Sequence, residues 1–387
     1  MIRVLHYGCP EDARRRVAFL GVSRSDADRL IGDLRACLIG VSLDAEPAEA
    51  LSGCLERRRI PYARGTRTLL FSVSSREQVQ AWIDGDGDAG TPLLPVRRAI
   101  ERYLAQTFAV PCRGLTLDLS GMPRIMGILN VTPDSFSDGG RYRSPDEAVK
   151  RGLAMAEEGA DIIDVGGEST RPGASRVTAE EELDRVVPVV RGVAAGTRAL
   201  ISVDTTKAIV ARAAADAGAH LVNDTSALAD DPGMAGVVRE TGMAVVLMHR
   251  RGTPATMQIS PHYDSLFDEV LDELAARIDA ARNAGIPEER ILVDPGVGFG
   301  KRLEDNMAFH RHLADLRSLG RPVVFGSSRK AFIGSITGKD APHRVFGTSA
   351  SVALAVAAGA HVIRVHDVAA MRDVVRVAGA IARGAEC

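Results

Sequence analysis

Several polar residues in this chain share one position: each stands at, or just past, the end of a short apolar run. They are Asn130, Asp164, Asp204, Asn223, His249, Asp294, Lys330, Arg364 and His366. Asp204, Asn223, Asp294 and Lys330 together suit a flat heterocycle with amino and carbonyl edges. Carboxylates accept from ring N–H and amino groups, asparagine both donates and accepts, and lysine donates to a ring carbonyl or nitrogen. Hydrogen bonds to charged partners are worth about 1.5–3 kcal/mol each, so a site of this kind strongly rejects rings that lack the matching groups. Asn130, Arg364 and His366 suit a different load, an anionic leaving group such as pyrophosphate with Mg²⁺. Arg364 has a second reading, as the ion-pair partner of a carboxylate such as Asp294. A metal hydrolase built on His249, His366 and aspartates is disfavoured, because neither H-x-H nor H-E-x-x-H occurs.

The runs that must position these residues are Ile125 to Asn130, Ile162 to Asp164, Ile201 to Asp204, Leu221 to Asp224, Val245 to His249, Ile291 to Asp294, Val323 to Ser327 and Val362 to Asp367. Continuous Val/Ile/Leu runs are the signature of buried parallel strands, and a helical pattern follows each one. Eight such units over about 260 residues match a (β/α)₈ TIM barrel, whose active site lies at the C-terminal ends of its strands. Ser144 before Pro145 reads as the N-cap of a helix running to Glu158, and Thr178 with Glu181 as a capping box. Glycine-bearing loops follow the first strand (Gly127 to Gly140), the second (Gly166 to Gly173) and the sixth (Asp294 to Lys301). The last is neither a Walker A loop nor a dinucleotide fingerprint, since Pro295, Lys301 and Arg302 stand where those motifs need other residues.

Residues 1–111 lie outside the barrel, which takes 112–387. Val4-Leu5 and Thr68 to Val73 read as strands, and Asp26 to Leu38 and Val96 to Gln106 as amphipathic helices, giving a small α/β or α+β accessory domain. Asp84 to Gly90 resembles a calcium loop but lacks the glycine and glutamate in the required places, so it reads as an exposed acidic turn. Arg57 to Arg59 reads as a solvated helix face. Arg113 to Pro123 reads as a half-buried strand followed by a hairpin turn that covers the barrel's N-terminal mouth. A net charge of −2 gives no reason to expect nucleic acid as a partner. No apolar run approaches a membrane span, and the polar N-terminus is unlike a signal peptide, so the expected setting is cytoplasmic. Cys9, Cys37, Cys54, Cys112 and Cys387 form no C-x-x-C pair and read as free, mostly buried thiols.

From about Arg113 onward the chain resembles the dihydropteroate synthase family. The resemblance rests on GILNVTPDSFSDGG (Gly127 to Gly140), IDVGGESTRPG (Ile163 to Gly173), ISVDT (Ile201 to Thr205), DPGVGFGK (Asp294 to Lys301), SRK (Ser328 to Lys330) and RVHD (Arg364 to Asp367). It implies condensation of 6-hydroxymethyl-7,8-dihydropterin diphosphate with 4-aminobenzoate, releasing pyrophosphate and forming 7,8-dihydropteroate, by an SN1-like path with loop closure. Asp204, Asn223, Asp294 and Lys330 would bind the pterin, and Arg364 would stack on it while touching the diphosphate. Asn130 would hold Mg²⁺ and, with Thr170 and His366, the diphosphate. Thr170, Pro172, Phe299 and Lys330 would line the aminobenzoate pocket, where sulfonamides compete. Asp138 and Arg171, on the loops that close, would join Lys330, Arg364 and His366 in catalysis, and the enzyme would be a homodimer.

The chain departs from the family in three ways. Ala331 stands where many members have serine, which would remove a contact to the aminobenzoate carboxylate. Met248 to Gly252 reads MHRRG in place of the usual MHMQG, and the leader is absent from short members. A folate-to-corrinoid methyltransferase on the same barrel would need neither the first loop nor SRK in this form. A non-catalytic paralogue would have lost one of Asn130, Arg171, Lys330 or His366, and all are present.

Overall fold

The computed structural model describes residues 2–5, 22–30, 37–42, 47–65, 68–73, 76–86, 93–132, 144–169 and 177–383. Asp138, Thr170, Arg171, Pro172, Cys9 and Cys387 lie outside them. The chain forms two compact units, one of Met1–Ala105 with Ala314–Gly320, the other of the remainder.

In the first unit, β1 (Ile2–Leu5), β2 (Cys37–Ser42), β3 (Tyr62–Arg64) and β4 (Thr68–Val73) make an antiparallel sheet in the order β1-β2-β4-β3. With it are α1 (Arg24–Leu30), α2 (Pro47–Arg57), α3 (Arg76–Asp86) and α4 (Leu94–Leu104). Ile39, Val41, Leu51, Leu55, Leu69, Phe71, Val79 and Val96 are its core. Residues 314–320 complete the unit: Val4 N–H donates to Ser318 Oγ, which donates back to the Val4 carbonyl, both at 3.1 Å. The Arg317 guanidinium lies 4.5 Å from the centre of the Tyr103 ring.

Three sequence expectations change here. The helix expected over Asp26 to Leu38 is described over Arg24–Leu30, residues 31–36 lie outside the described residues, and Cys37-Leu38 belong to β2, because the apolar run from Cys37 to Val41 pairs along β1 and β4. Asp84 to Asp86 are helical, within α3, where Gln80 Nε2 donates to Asp84 Oδ1 across one turn (2.6 Å), and Gly87 to Gly90 lie outside the described residues. Of Arg57 to Arg59, the outer two are exposed as expected, while Arg58 is half-buried and donates to the Trp82 carbonyl.

In the second unit, β5 (Ala109–Cys112) and β6 (Leu115–Asp118) form a hairpin. Its turn is Arg113-Gly114, both at positive φ (49° and 82°), the backbone of a type I′ turn. The hairpin turn therefore precedes β6 instead of following it. Val110, Cys112, Leu117 and Leu119 pack on Met126, Ile162, Leu200, Leu221, Ala244, Leu292, Val324 and Val362. Those are residues at or near the starts of the barrel strands, so the hairpin plugs the N-terminal mouth, as expected.

The barrel strands are β7 (Arg124–Asn130), β8 (Ile162–Gly166), β9 (Leu200–Asp204), β10 (Leu221–Asp224), β11 (Ala244–Met248), β12 (Ile291–Asp294), β13 (Val324–Phe325) and β14 (Val362–Val365). All pair in parallel in the order β12-β11-β10-β9-β8-β7-β14-β13, and a parallel bridge from Val293 to Val323 joins the two ends. The intervening helices are α5 (Pro145–Glu158), α6 (Ala179–Gly196), α7 (Ala208–Ala217), α8 (Met234–Thr241), α9 (Leu266–Asn283), α10 (Leu303–His312), α11 (Ala331–Thr337), α12 (Val345–Ala357) and α13 (Val368–Arg383). Ser144 caps α5 by accepting from the Glu147 N–H, and Thr178 and Glu181 close the capping box of α6. Among the described residues no helix is long and apolar enough to cross a membrane.

The plug stands at the end of the barrel away from the polar strand ends. Leu119→Ala, at a side chain only 2% exposed, is expected to cost about 2–4 kcal/mol of stability through the cavity it leaves, with turnover unchanged. Denaturant unfolding and steady-state kinetics check this; a loss of turnover with stability intact would contradict it.

Candidate active site

Closing the barrel brings residues far apart in the chain to one mouth. Register sets Gly166 beside Asp204 and Asp204 beside Asn223, so β8, β9 and β10 deliver Asp164, Asp204 and Asn223 as neighbours. β14 pairs with β7 and contributes Arg364 from the other side. The Arg364 Nε donates to Asp164 Oδ2 (2.7 Å) and its Nη2 to Asp204 Oδ2 (2.6 Å). Asn223 Nδ2 donates to the same Asp164 oxygen (3.1 Å). Arg364 therefore does form an ion pair, but with Asp164 and Asp204, not Asp294. The Asp294 carboxylate is otherwise engaged, accepting from the Gly296 N–H at 2.7 Å and facing the Lys330 ammonium.

Asp164 is the residue that the sequence left without a role. It is fully buried and joins Arg364 to Asn223. The signal was present, since it ends an apolar run like the others, but nothing in sequence shows which run-end residue lies deepest. Burial raises Asp204 well above the usual carboxylate range; Arg364 opposes that rise and Asp164 adds to it. Burial raises Asp294 as well, against the pull of Lys330.

Lys330 begins α11. Its Nζ donates to the Val297 carbonyl and lies 4.4 Å from the centre of the Phe299 ring, so these two expected neighbours do meet. Burial lowers its ammonium to about 8, with Asp294 opposing. The loop before it turns through positive φ at Gly296, Gly298 and Gly300 (68°, 81° and 65°). A Cβ at Gly296 would collide with the His249 carbonyl, and one at Gly300 would stand 2.6 Å from the Arg251 carbonyl. These glycines are the price of laying this loop flat on the end of β11.

His249 does not face the other polar ends. Its Nδ1 accepts from the buried Lys301 ammonium (2.8 Å), and its Nε2 lies 2.9 Å from Glu273 Oε2. Burial pulls His249 down to about 4 and Lys301 to about 7. Lys301 also donates to the carbonyls of Phe299 (2.9 Å) and His249 (3.3 Å), so it pins the glycine loop from beneath. His366 is oriented by Ser328, whose Oγ accepts from the His366 N–H (3.2 Å) and lies 3.0 Å from Nδ1. Next to it Arg329, at φ 59°, makes a two-point ion pair with Asp367, one arm at 2.9 Å. The SRK and RVHD motifs are thus one tied unit. Asn130 ends β7, beside β14, and is half-buried. A cleft of about 180 Å³ opens at this rim, lined in part by Glu168, Ser169, Asp204, Thr205, Lys207 and Thr225.

The sequence profile of the family described as pterin binding enzyme matches residues 126–366. The dihydropteroate synthase of Escherichia coli K12 is 48% identical over 265 residues, 68% of this chain and 93% of that one. A crystal structure of the Yersinia pestis dihydropteroate synthase with a sulfonamide drug complex has a TM-score of 0.69 at 45% identity, covering 72% of this chain and 100% of that one. The Xanthomonas albilineans dihydropteroate synthase with 4-aminobenzoic acid has a TM-score of 0.67 at 48% identity, covering 71% and 98%.

Proposed function

The chain belongs to the dihydropteroate synthases within the pterin-binding enzymes, and we propose that its barrel condenses 6-hydroxymethyl-7,8-dihydropterin diphosphate with 4-aminobenzoate, releasing pyrophosphate and forming 7,8-dihydropteroate. The observation that carries this reading is the group of buried Asp204, Asn223 and Asp294 with half-buried Lys330 at one mouth of the barrel.

In this proposal the ring is read by those four side chains. Asn223 gives one amide N–H to Asp164, which leaves its second N–H and its oxygen for the ring. Asp204 and Asp294 accept from ring and amino N–H groups, and Lys330 donates to the ring carbonyl or a ring nitrogen. Arg364, held from below by two carboxylates, stacks on the ring and reaches the diphosphate with Asn130, Thr170 and His366. Phe299, Lys330, Thr170 and Pro172 bound the arylamine, and Asp138 and Arg171 complete the catalytic set. The methylene C–O bond breaks to release pyrophosphate, the amine nitrogen bonds to the methylene carbon, and the nitrogen gives up one proton. The protein supplies no nucleophile; it orients the amine, excludes water and stabilises the separating charges.

Mg²⁺ belongs to the same proposal. Among the described residues no three His, Cys, Asp or Glu side chains group as a metal site. The Asn130 amide is a single neutral oxygen ligand, a fit for Mg²⁺ that arrives with the diphosphate and keeps its waters. When bound, the ion would neutralise charge on the departing pyrophosphate. A homodimer is supported by an apolar face on α12 and α13, where Phe346 is 77% and Ile381 78% exposed, with Leu354 and Val377 also uncovered. A cytoplasmic setting accords with the free buried thiols Cys54 and Cys112, and cell fractionation checks it.

The direct test is pyrophosphate release with the dihydropterin diphosphate and Mg²⁺. Release should depend on 4-aminobenzoate and be blocked by a sulfonamide; release indifferent to both would defeat the reading. Asp204→Asn and Asp294→Asn are each expected to weaken pterin binding by about tenfold or more, measured by calorimetry, and unchanged affinity in both would remove the ring-pocket assignment. Phe346→Glu should turn a dimer into a monomer in sedimentation, and an unchanged mass would place the subunit contact elsewhere.

A further inference from the structure

Phe299 and Lys330 stand on separate segments. Phe299 belongs to the glycine loop after β12, and Lys330 to the turn after β13. Each segment is held by a helix behind it. Asn306, on α10 and only 5% exposed, accepts the Gly298 N–H on Oδ1 (2.7 Å), and its Nδ2 donates to the Arg302 carbonyl (2.8 Å). One buried side chain thus fixes the residue next to Phe299. The turn is held by α12. Thr348 Oγ1 accepts the Arg329 N–H (3.1 Å). One helical turn later, on the same face, Ser351 Oγ is hydrogen-bonded to Ser327 Oγ (2.6 Å). The Lys330 N–H closes the turn by donating to the Ser327 carbonyl (3.3 Å).

His310 joins the two helices. Its Nδ1 lies 2.9 Å from the Asn306 carbonyl, which can only accept, so Nδ1 carries a hydrogen. Its Nε2 lies 2.6 Å from Ser351 Oγ. The ring packs edge-on against Phe325, with 5.1 Å between centres, and at a tilt against Phe332, with 5.3 Å. Burial pulls His310 below the ordinary histidine value. Hydrogen bonds therefore run without a gap from Gly298 through Asn306, His310 and Ser351 to Ser327. In such apolar surroundings each member of the chain depends on its neighbours.

We propose that His310 is a positioning residue for the arylamine half of the site: it fixes the glycine loop that presents Phe299 relative to the turn that presents Lys330. These two segments already touch, since Lys330 Nζ lies 4.4 Å from the centre of the Phe299 ring and a Cβ at Gly298 would come within 3.1 Å of Lys330 Cδ. This role rests on the synthase reading and goes beyond it, because His310, Ser351 and Ser327 would touch no substrate in that reading. Lys330 also serves the ring there, but Asp204, Asn223 and Asp294 hold the ring from strands that the chain of bonds does not include.

His310→Leu is the informative variant. It keeps an apolar side chain between Phe325 and Phe332 and leaves Ser351 and Ser327 paired with each other. The expected result is a KM for 4-aminobenzoate raised about fivefold, the loss typical of one neutral hydrogen bond, with affinity for the pterin diphosphate essentially unchanged in calorimetry. His310→Gln, whose amide reaches the place of Nε2, should recover most of that KM. Ser327→Ala should raise the same KM. The double variant His310→Leu with Ser327→Ala should raise it no further than the larger single effect, because both cut one chain. An unchanged KM in His310→Leu, an equal loss for both substrates, or independent effects in the double variant would overturn the proposal. Wild-type protein without aminobenzoate-dependent pyrophosphate release would instead defeat the synthase reading. An active wild type beside an indifferent His310→Leu would defeat only the positioning role.

Discussion

Two buried carboxylates at the mouth of a barrel are costly. Removing a charge from water costs several kcal/mol after all relaxation, and here Asp164 is fully buried while Asp204 is nearly so. One guanidinium, Arg364, answers both. Most of the site depends on that arrangement. It sets the face of Asn223 that is left for a ligand, through the amide N–H given to Asp164. It holds β8, β9 and β14 in charge register across the mouth, and it keeps a cation beside the place where an anion must depart. The desolvation that makes this group expensive is also what gives its hydrogen bonds their power to discriminate between rings.

The second support is a set of cations, Lys301 buried and Lys207 and Arg329 half-buried, that hold loops, not ligands. Lys301 spends its donors on His249 and on two carbonyls, and so fixes the glycine loop that presents Phe299. Lys207 does the same for the stems of the loop after β8. Arg329 ties the start of α11 to Asp367, and with it Lys330 to the end of β14. Each lies behind a residue expected to touch substrate. The loops are long, but their ends are set by charge pairs in partly buried places.

Much of this was legible in the sequence, for physical reasons. Parallel strands covered on both faces must be apolar along most of their length, so Val245 to Leu247 and Ile291 to Val293 stand out as runs. Ser144 and Thr178 announce their helices because an N-cap oxygen is a local requirement. Pairings that depend on closure were not legible. Arg364 has several carboxylates within chain reach, and only the barrel geometry selects Asp164 and Asp204. His249 looks like any strand-end residue until the glycine loop brings Lys301 to it. The Arg113-Gly114 turn was hidden because arginine is an unusual occupant of positive φ. The return of residues 314–320 to the first unit depends on Ser318 meeting Val4, more than three hundred positions away. No local pattern encodes that.

The central claim is that Arg364 stabilises buried carboxylate charge on which the site depends. Arg364→Met tests it through unfolding free energy measured against wild type at about pH 5 and about pH 8. Without the guanidinium, Asp204 should titrate even further above its unfolded value than it does now. A group with a raised folded pKa contributes stability at low pH that is lost as pH rises through that value, so the deficit of the variant should widen from the lower pH to the higher. At the higher pH it should reach about 3–5 kcal/mol, the usual cost of a buried charge left unpaired. A deficit equal at both pH values, or absent, would contradict the account.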